Sequence, residues 1–251
     1  MTSSRLAWRA EQACLNAWPA LHNVVYDDWI VRFSEGLTRR ANSVNPLRST
    51  ARADGASIQL FENLFRAQQL PLIFRVPTLL DPSVDRSLER LGFTAEGESC
   101  VIHADINSVE AKPDPAVEVS SRVDEEWLHA MNVMQKRTDE QSEIFDQIVL
   151  SIAVPAGFAT LRNGEDVLAQ AYGVIHDDLL CCESVITSES ARGHGVGRRL
   201  MSALFAWAAA QGASGVCLQV EATNKAGLAL YNSLGMTTEL SRYHYRRQPS
   251  R

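Results

Sequence analysis

The residues with the clearest chemical meaning are Arg192-Gly193-His194-Gly195-Val196-Gly197, three glycines within five positions behind an arginine. Without β-carbons the backbone lies open to an anion. If a helix starts here, its first amides point outward with the positive end of its dipole. The chemistry this favours is phosphate binding. A dinucleotide fingerprint needs G-x-G-x-x-G, whereas the chain reads G-x-G-x-G, and no G-K-[ST] is present to make a P-loop. Glu221 stands near where a dinucleotide fold would place its acidic ribose ligand. However, the glycine turn comes after residue 190 of 251, which leaves too little chain for a doubly wound sheet around it.

The flanking segments explain how such a turn would be held. Cys181-Cys182-Glu183-Ser184-Val185-Ile186-Thr187 has strand character. Beyond the glycines, Val196, Leu200, Leu204, Trp207 and Ala208 recur at helical spacing, and Gly212 is placed to stop that helix. The expected order is strand, glycine turn, helix. A further strand, Gly215 to Val220, leads into Glu221-Ala-Thr-Asn224-Lys-Ala-Gly-Leu-Ala-Leu-Tyr231-Asn-Ser-Leu-Gly235-Met.

Taken together, Thr187 to Leu200 resembles the acyl-CoA loop of the GNAT (GCN5-related) N-acetyltransferases, and Asn224 to Met236 is similar to that family's N-x-x-A-x-x-L-Y-x-x-x-G-F segment. The resemblance covers the chain from about Glu118 to Arg247. Glu189 stands where many members carry proline. The resemblance implies acetyl-CoA as co-substrate, with Val185, Ile186 and Thr187 supplying amides to pantetheine and the thioester. It places Arg192, Gly193, His194, Gly195, Val196, Gly197 and Arg198 around the pyrophosphate. Asn224 and Tyr231, seven residues apart, are expected to face the thiol end, with Tyr231 as acid or thiolate stabiliser. Glu183 is the candidate base, on the expectation that an unbroken strand gives it a face in common with Val185 and Thr187. The alternative for Glu183 is a solvent-facing strand carboxylate. His194 reads as a variable side chain of the loop, and His176, before Asp177-Asp178, as a hairpin residue.

Composition narrows the class. With 45% apolar residues the chain can bury cores for one large or two ordinary domains. A net charge of −6 and scattered arginines argue against nucleic acid as partner. The N-terminus lacks the apolar stretch of a signal peptide, and nothing approaches a membrane span, so a cytoplasmic location is expected, with no membrane partner. Five cysteines without a C-x-x-C fit a reducing compartment and give neither a metal site nor a disulfide framework. Cys181-Cys182 reads as strand packing.

The first half of the chain reads as a helix over 7–20, a hairpin of 28–34 with 37–44, a helix beginning near Ile58, a strand Leu72–Val76, a helix Asp81–Leu91 and a strand Phe93–Ile106. Glu110 to Ala116, with two prolines, reads as a linker. Ile73-Phe-Arg-Val76 and Leu91-Gly92-Phe93 match Cys217-Leu-Gln-Val220 and Leu234-Gly235-Met236 at offsets of 144 and 143, which predicts a tandem duplication. At that offset Arg192, Gly195 and Gly197 fall on Ser49, Arg52 and Asp54, so the first copy has no phosphate turn. The segment Gly36 to Pro46 and the closing Tyr243-His-Tyr245-Arg resemble two-copy GNAT proteins.

The expected fold is therefore mixed α/β: tandem GNAT-type domains, each a mostly antiparallel sheet flanked by helices. Residues 1–112 form a degenerate copy and 117–251 the acyl-CoA-binding one. The expected activity is acetyl transfer to a primary amine of a small molecule or peptide, by a monomer or homodimer, without a metal. A non-catalytic acyl-CoA sensor is the alternative.

Overall fold

The computed structural model describes residues 3–249 as seven helices and eleven strands, and all the strands join one sheet. The first half comprises α1 (Ser3–Ala17), β1 (His22–Tyr26), β2 (Trp29–Phe33), β3 (Val44–Pro46), α2 (Gly55–Ala67), β4 (Ile73–Pro77), α3 (Pro82–Arg90) and β5 (Thr94–Asp105). The second half begins with β6 (Val117–Ser120), α4 (Glu125–Met134), α5 (Asp139–Leu150), β7 (Ala156–Asn163) and β8 (Asp166–His176). It continues with β9 (Leu179–Thr187), α6 (Val196–Ala210), β10 (Gly215–Glu221), α7 (Lys225–Ser233) and β11 (Thr238–Arg247). The mixed, mostly antiparallel sheet flanked by helices is the fold class expected.

The order across the sheet is β1-β2-β3-β4-β11-β5-β10-β9-β8-β7-β6. The two halves thus exchange their last strands. β11 lies antiparallel between β4 and β5, while β5 pairs with β10 of the second half. Nothing in the sequence pattern announces this exchange, because a strand's alternation says which face it buries and not which neighbour it meets.

Two apolar layers cover the sheet of the second half. On one face α1, α4 and α5, with Trp18 just after α1, pack through Ala13, Trp18, Met131, Phe145 and Ile148 against Tyr172, Cys181 and Cys217. On the other, α6 supplies Leu200, Leu204 and Phe205 against Cys182, Leu218 and Val220. The alternation of Cys181 and Cys182 between these layers explains the adjacent pair as strand packing. In the first half, Trp29, Phe61, Phe74 and Phe93 form a core of edge-to-face rings with centroids 5.7–6.3 Å apart, contacts worth about 0.5–1.5 kcal/mol each beyond burial.

The expected hairpin of 28–34 with 37–44 forms only at its far end: β2 pairs antiparallel with β3, Val31 opposite Val44, and on its other edge with β1 through a turn at Asp27-Asp28, while 37–43 is a loop with one short helical turn at Arg39–Ala41. The cause is Asn42. Its side chain accepts hydrogen bonds from the amides of Ser34 and Gly36, at 2.8 and 2.9 Å, and donates to the carbonyl of Thr38 at 2.8 Å. One amide side chain thereby takes the partners that a strand ladder would have used. The remaining helices stand within a few residues of expectation, and Gly212 (φ +86°) follows the C-cap of α6, Gln211.

Residues 110–116 run along the second half. The amide of Glu110 donates to the carbonyl of Leu234 at 3.1 Å, and that of Lys112 to Oγ of Ser202 at 3.0 Å. Asp114 is paired with Arg199 at 2.7 Å.

Candidate active site

Strands β9 and β10 run parallel from Leu179/Gly215 to Cys182/Leu218, where their pairing ends. Beyond this point Glu183–Thr187 and Gln219–Glu221 have no hydrogen bonds to each other. A split of this kind exposes backbone amides in the middle of a sheet. Its cause on β9 is a bulge. Tyr172 of β8 stands opposite Glu183 and Gln170 opposite Ile186, so two residues of β9 face one of β8, and Ser184 takes φ +51°.

That bulge corrects the expectation for Glu183. It reverses the alternation, so Glu183 shares its face with Ile186, on the side covered by α1, whereas Val185 packs on the α6 side. Glu183 does not line the glycine-loop cavity, and it is not solvent-facing: it is 5% exposed. Its partner is Arg40 of the first half, whose Nη1 donates to Oε1 at 2.6 Å. Burial raises the carboxyl pKa and Arg40 lowers it, with the net direction upward. Arg40 itself lies 4.7 Å over the ring of Trp18. A pair separated by 143 residues could not be found from sequence spacing.

On the α6 side, a cavity of about 670 Å³ is bounded by Val185, Ile186 and Thr187 of β9, by the glycine loop, and by one side of α7. Gly193 and Gly195 both adopt left-handed backbone, φ +78° and +76°, and a β-carbon on either would meet nothing within 4 Å. Gly195 caps α6 without any side-chain bond to the helix's first amides. A donor-rich, uncapped helix start facing open space is what a pyrophosphate requires. Gly197 serves contact instead, since a β-carbon there would lie 3.1 Å from Oγ1 of Thr187.

Of the other expected loop residues, Arg192 reaches back to the carbonyl of Thr187 at 3.4 Å and borders the cavity, as does Val196. Arg198 also borders it, but its guanidinium is engaged by the carbonyl of Ser233, at 2.9 Å, and by Glu110. His194 is exposed and does not border the cavity. Glu189, in the proline position, pairs with Lys136 at 2.6 Å; both side chains are exposed, so the pair contributes little.

Asn224 and Tyr231 border the same cavity from α7. Oδ1 of Asn224 caps that helix by accepting from the amide of Gly227 at 2.9 Å. Tyr231 is 8% exposed, and desolvation raises its pKa well above the ordinary tyrosine value. The phenol is therefore protonated throughout the neutral range.

The structure also joins residues that the sequence left apart. Cys14 of α1, Cys181 and Cys217 bring their sulfurs within 4.8 Å of one another in the buried layer, with Cys14 and Cys181 3.5 Å apart. The C-x-x-C spacing sought in the sequence cannot detect such a group. His176 closes β8 before the two-residue turn Asp177-Asp178, whose carboxylates are held by Arg9.

Comparisons with known proteins bear on the fold and the family. An N-acetyltransferase of uncharacterised role from Bacillus subtilis (strain 168), YobR, is 23% identical over 243 residues, covering 95% of this chain and 97% of its own. A GCN5-related N-acetyltransferase from Kribbella flavida superposes with a TM-score of 0.71 at 15% identity, covering 99% of this chain and 96% of that one. A tandem GNAT protein from the clavulanic acid biosynthesis pathway gives 0.63 at 13% identity, covering 83% and 76%. Residues 7–247 match the family described as "Probable histone acetyltransferase Rv0428c C-terminal". With 241 of its 251 residues inside that match, the chain belongs to this family and is an acetyltransferase of the GNAT superfamily.

Proposed function

We propose that the chain transfers an acetyl group from acetyl-CoA to a primary amine of a small molecule or peptide, by direct attack with both substrates bound. The observation that carries this reading is the split between β9 and β10, with a glycine-lined cavity on one face and a buried, raised-pKa carboxylate on the other. We assign the cofactor to the second half, residues 117–251, with 1–112 as a degenerate copy, and the whole to the cytoplasm, where five free buried thiols stay reduced.

Acetyl-CoA, when bound, supplies the thioester. The fit rests on the open space at Gly193 and Gly195 and on the uncapped start of α6. The edge of β9 that β10 has left, at Val185–Thr187, orients the pantetheine arm and donates backbone N–H to the carbonyl oxygen as negative charge develops there. Glu183, directly or through water, takes a proton from an amine that is otherwise an ammonium with a pKa of about 10.4 and has no lone pair to attack with. Arg40 fixes the carboxylate's direction. Tyr231 holds its proton and gives it, or a hydrogen bond, to the departing sulfur. Asn224, with Oδ1 committed to the helix cap, offers only its amide hydrogens to the cofactor.

The test is release of free thiol from acetyl-CoA over an amine panel, with calorimetry of acetyl-CoA alone. One site per chain and amine-dependent release are expected. Binding without release for any amine would mark a sensor rather than an enzyme.

A further inference from the structure

A second cavity, of about 520 Å³, lies between the halves on the face that carries Glu183. Gln219 and Glu221 of β10 and Tyr243, Tyr245 and Arg247 of β11 form its floor, and the β2–β3 loop closes over it with Arg39. Its charges are separated. Arg39 and Arg247 share one carboxylate, Glu96, at 3.6 and 2.9 Å, which leaves one positive charge in excess at that end. At the other end Glu221 makes no ion pair among the described residues. Glu221 also stands at the lip of the split, where β10 has parted from β9. The dinucleotide-like position that singled it out in the sequence is thus occupied by a carboxylate facing the other cavity.

The floor between the two ends is aromatic. Tyr243 donates its hydroxyl to Oε1 of Gln219 at 3.0 Å and is stacked by Arg75 at 3.7 Å, while Arg39 lies 4.9 Å over Tyr245. Register gives the length of the cavity. Glu221 stands opposite Ser99, and the guanidinium of Arg39 lies over Gly97, where a β-carbon would come within 2.9 Å of it. Two strand positions span about 7 Å. Arg247 of β11 stands opposite Thr94, farther along β5 in the same direction.

We propose that this cavity binds the acceptor and that the acceptor is an amino carboxylate with several bonds between its ends, its amine at Glu221 and its carboxylate at Arg39 and Arg247. The proposal rests on the acetyl-transfer reading above and gives it a substrate class. An α-amino acid presenting its own α-amine is too short to reach both ends; a lysine-like ω-amine or a short peptide's N-terminus is long enough. In the reaction the ammonium loses a proton and the nitrogen forms the amide bond as the carbon–sulfur bond breaks. The nitrogen's second proton replaces the lost acetyl on sulfur, so the products are amide, free thiol and a released proton.

The test uses ε-aminocaproate, hexylamine and glycine, titrated calorimetrically into the full chain saturated with CoA and assayed for thiol release with acetyl-CoA. ε-Aminocaproate should bind about tenfold or more tightly than hexylamine, a difference one charge-assisted contact supplies, and glycine should not bind detectably. Arg39→Gln and Arg247→Gln, checked for unchanged melting and acetyl-CoA affinity, should each erase the advantage over hexylamine. Glu221→Gln should weaken both amines. Equal affinity for ε-aminocaproate and hexylamine, equal losses for both in the arginine variants, or no binding of ε-aminocaproate would overturn the proposal. The expected selectivity in binding without thiol release would leave the cavity assignment standing and sink the acetyl-transfer reading. Turnover of all amines without preference would do the reverse.

Discussion

Helices α2 and α6 occupy corresponding places in the two halves and begin in opposite ways. α6 starts at a left-handed glycine with no side-chain cap. α2 starts at Asp54, whose carboxylate accepts from the amide of Ser57 at 2.8 Å while Oγ of Ser57 accepts from the amide of Asp54 at 2.9 Å. Those hydrogen bonds hold the Asp54 carboxyl below its usual pKa. The same helix terminus can thus be finished by the chain itself or left for a ligand. Where it is finished, the space beneath is spent on a core of aromatic rings; where it is open, a cavity remains.

The most severe way to break this contrast is Gly195→Asp, which gives α6 the charge that α2 carries. Acetyl-CoA binding should be lost to below calorimetric detection while the fold persists. Normal binding by this variant would refute the loop assignment. Next in size is Tyr231→Phe, which removes a hydroxyl bordering the glycine-loop cavity. It should lower kcat by about 10²–10⁴-fold, with acetyl-CoA affinity little changed, at saturating amine. If affinity collapsed instead and kcat held, the hydroxyl would be a binding group.

A milder effect concerns the contact between the halves. Because burial raises the Glu183 pKa, protonation of this carboxyl favours the fold. That contribution is complete below the ordinary glutamate range and is lost as pH rises through the raised value. Activity follows the opposite sign, since the base must be ionised. kcat should therefore climb through an apparent pKa above the ordinary glutamate value. Arg40→Gln, by removing the charge that lowers this pKa, should move the climb to higher pH, and Glu183→Gln should abolish it. An unmoved profile in the arginine variant would show that Arg40 does not act through Glu183. The smallest change is expected of Asp54→Ala: a slight fall in melting temperature from the lost cap, with acetyl-CoA affinity unaltered. A large loss of affinity would place cofactor in the first half.

The local features of the site were legible because each rests on residue types at short spacing. Three glycines after a strand define the turn, and Asn224 and Tyr231 stand seven residues apart. Features were missed wherever a side chain or a distant strand took over a backbone role. Asn42 replaced a ladder and turned an expected strand into a loop. Ser184 entered left-handed space and moved Glu183 to the opposite face from Val185, which no alternation rule could foresee. Arg40 with Glu183, and Cys14 with Cys181 and Cys217, are contacts of tertiary structure alone. The offset of 143–144 residues carries no sign that β11 would lie between β4 and β5.

That exchange has a consequence for biosynthesis. A ribosome releases the first half with β4 lacking a neighbour on one side and β5 lacking both; β10 can cover one side of β5, but the two edges that face β11 stay open at the centre of the sheet until residues 238–247 are made. Unpaired strand edges are the form in which polypeptides associate with one another. β11 follows every other strand of the sheet in the chain and closes both halves at once, so the nascent protein has no stage at which one half is complete and waits for the other.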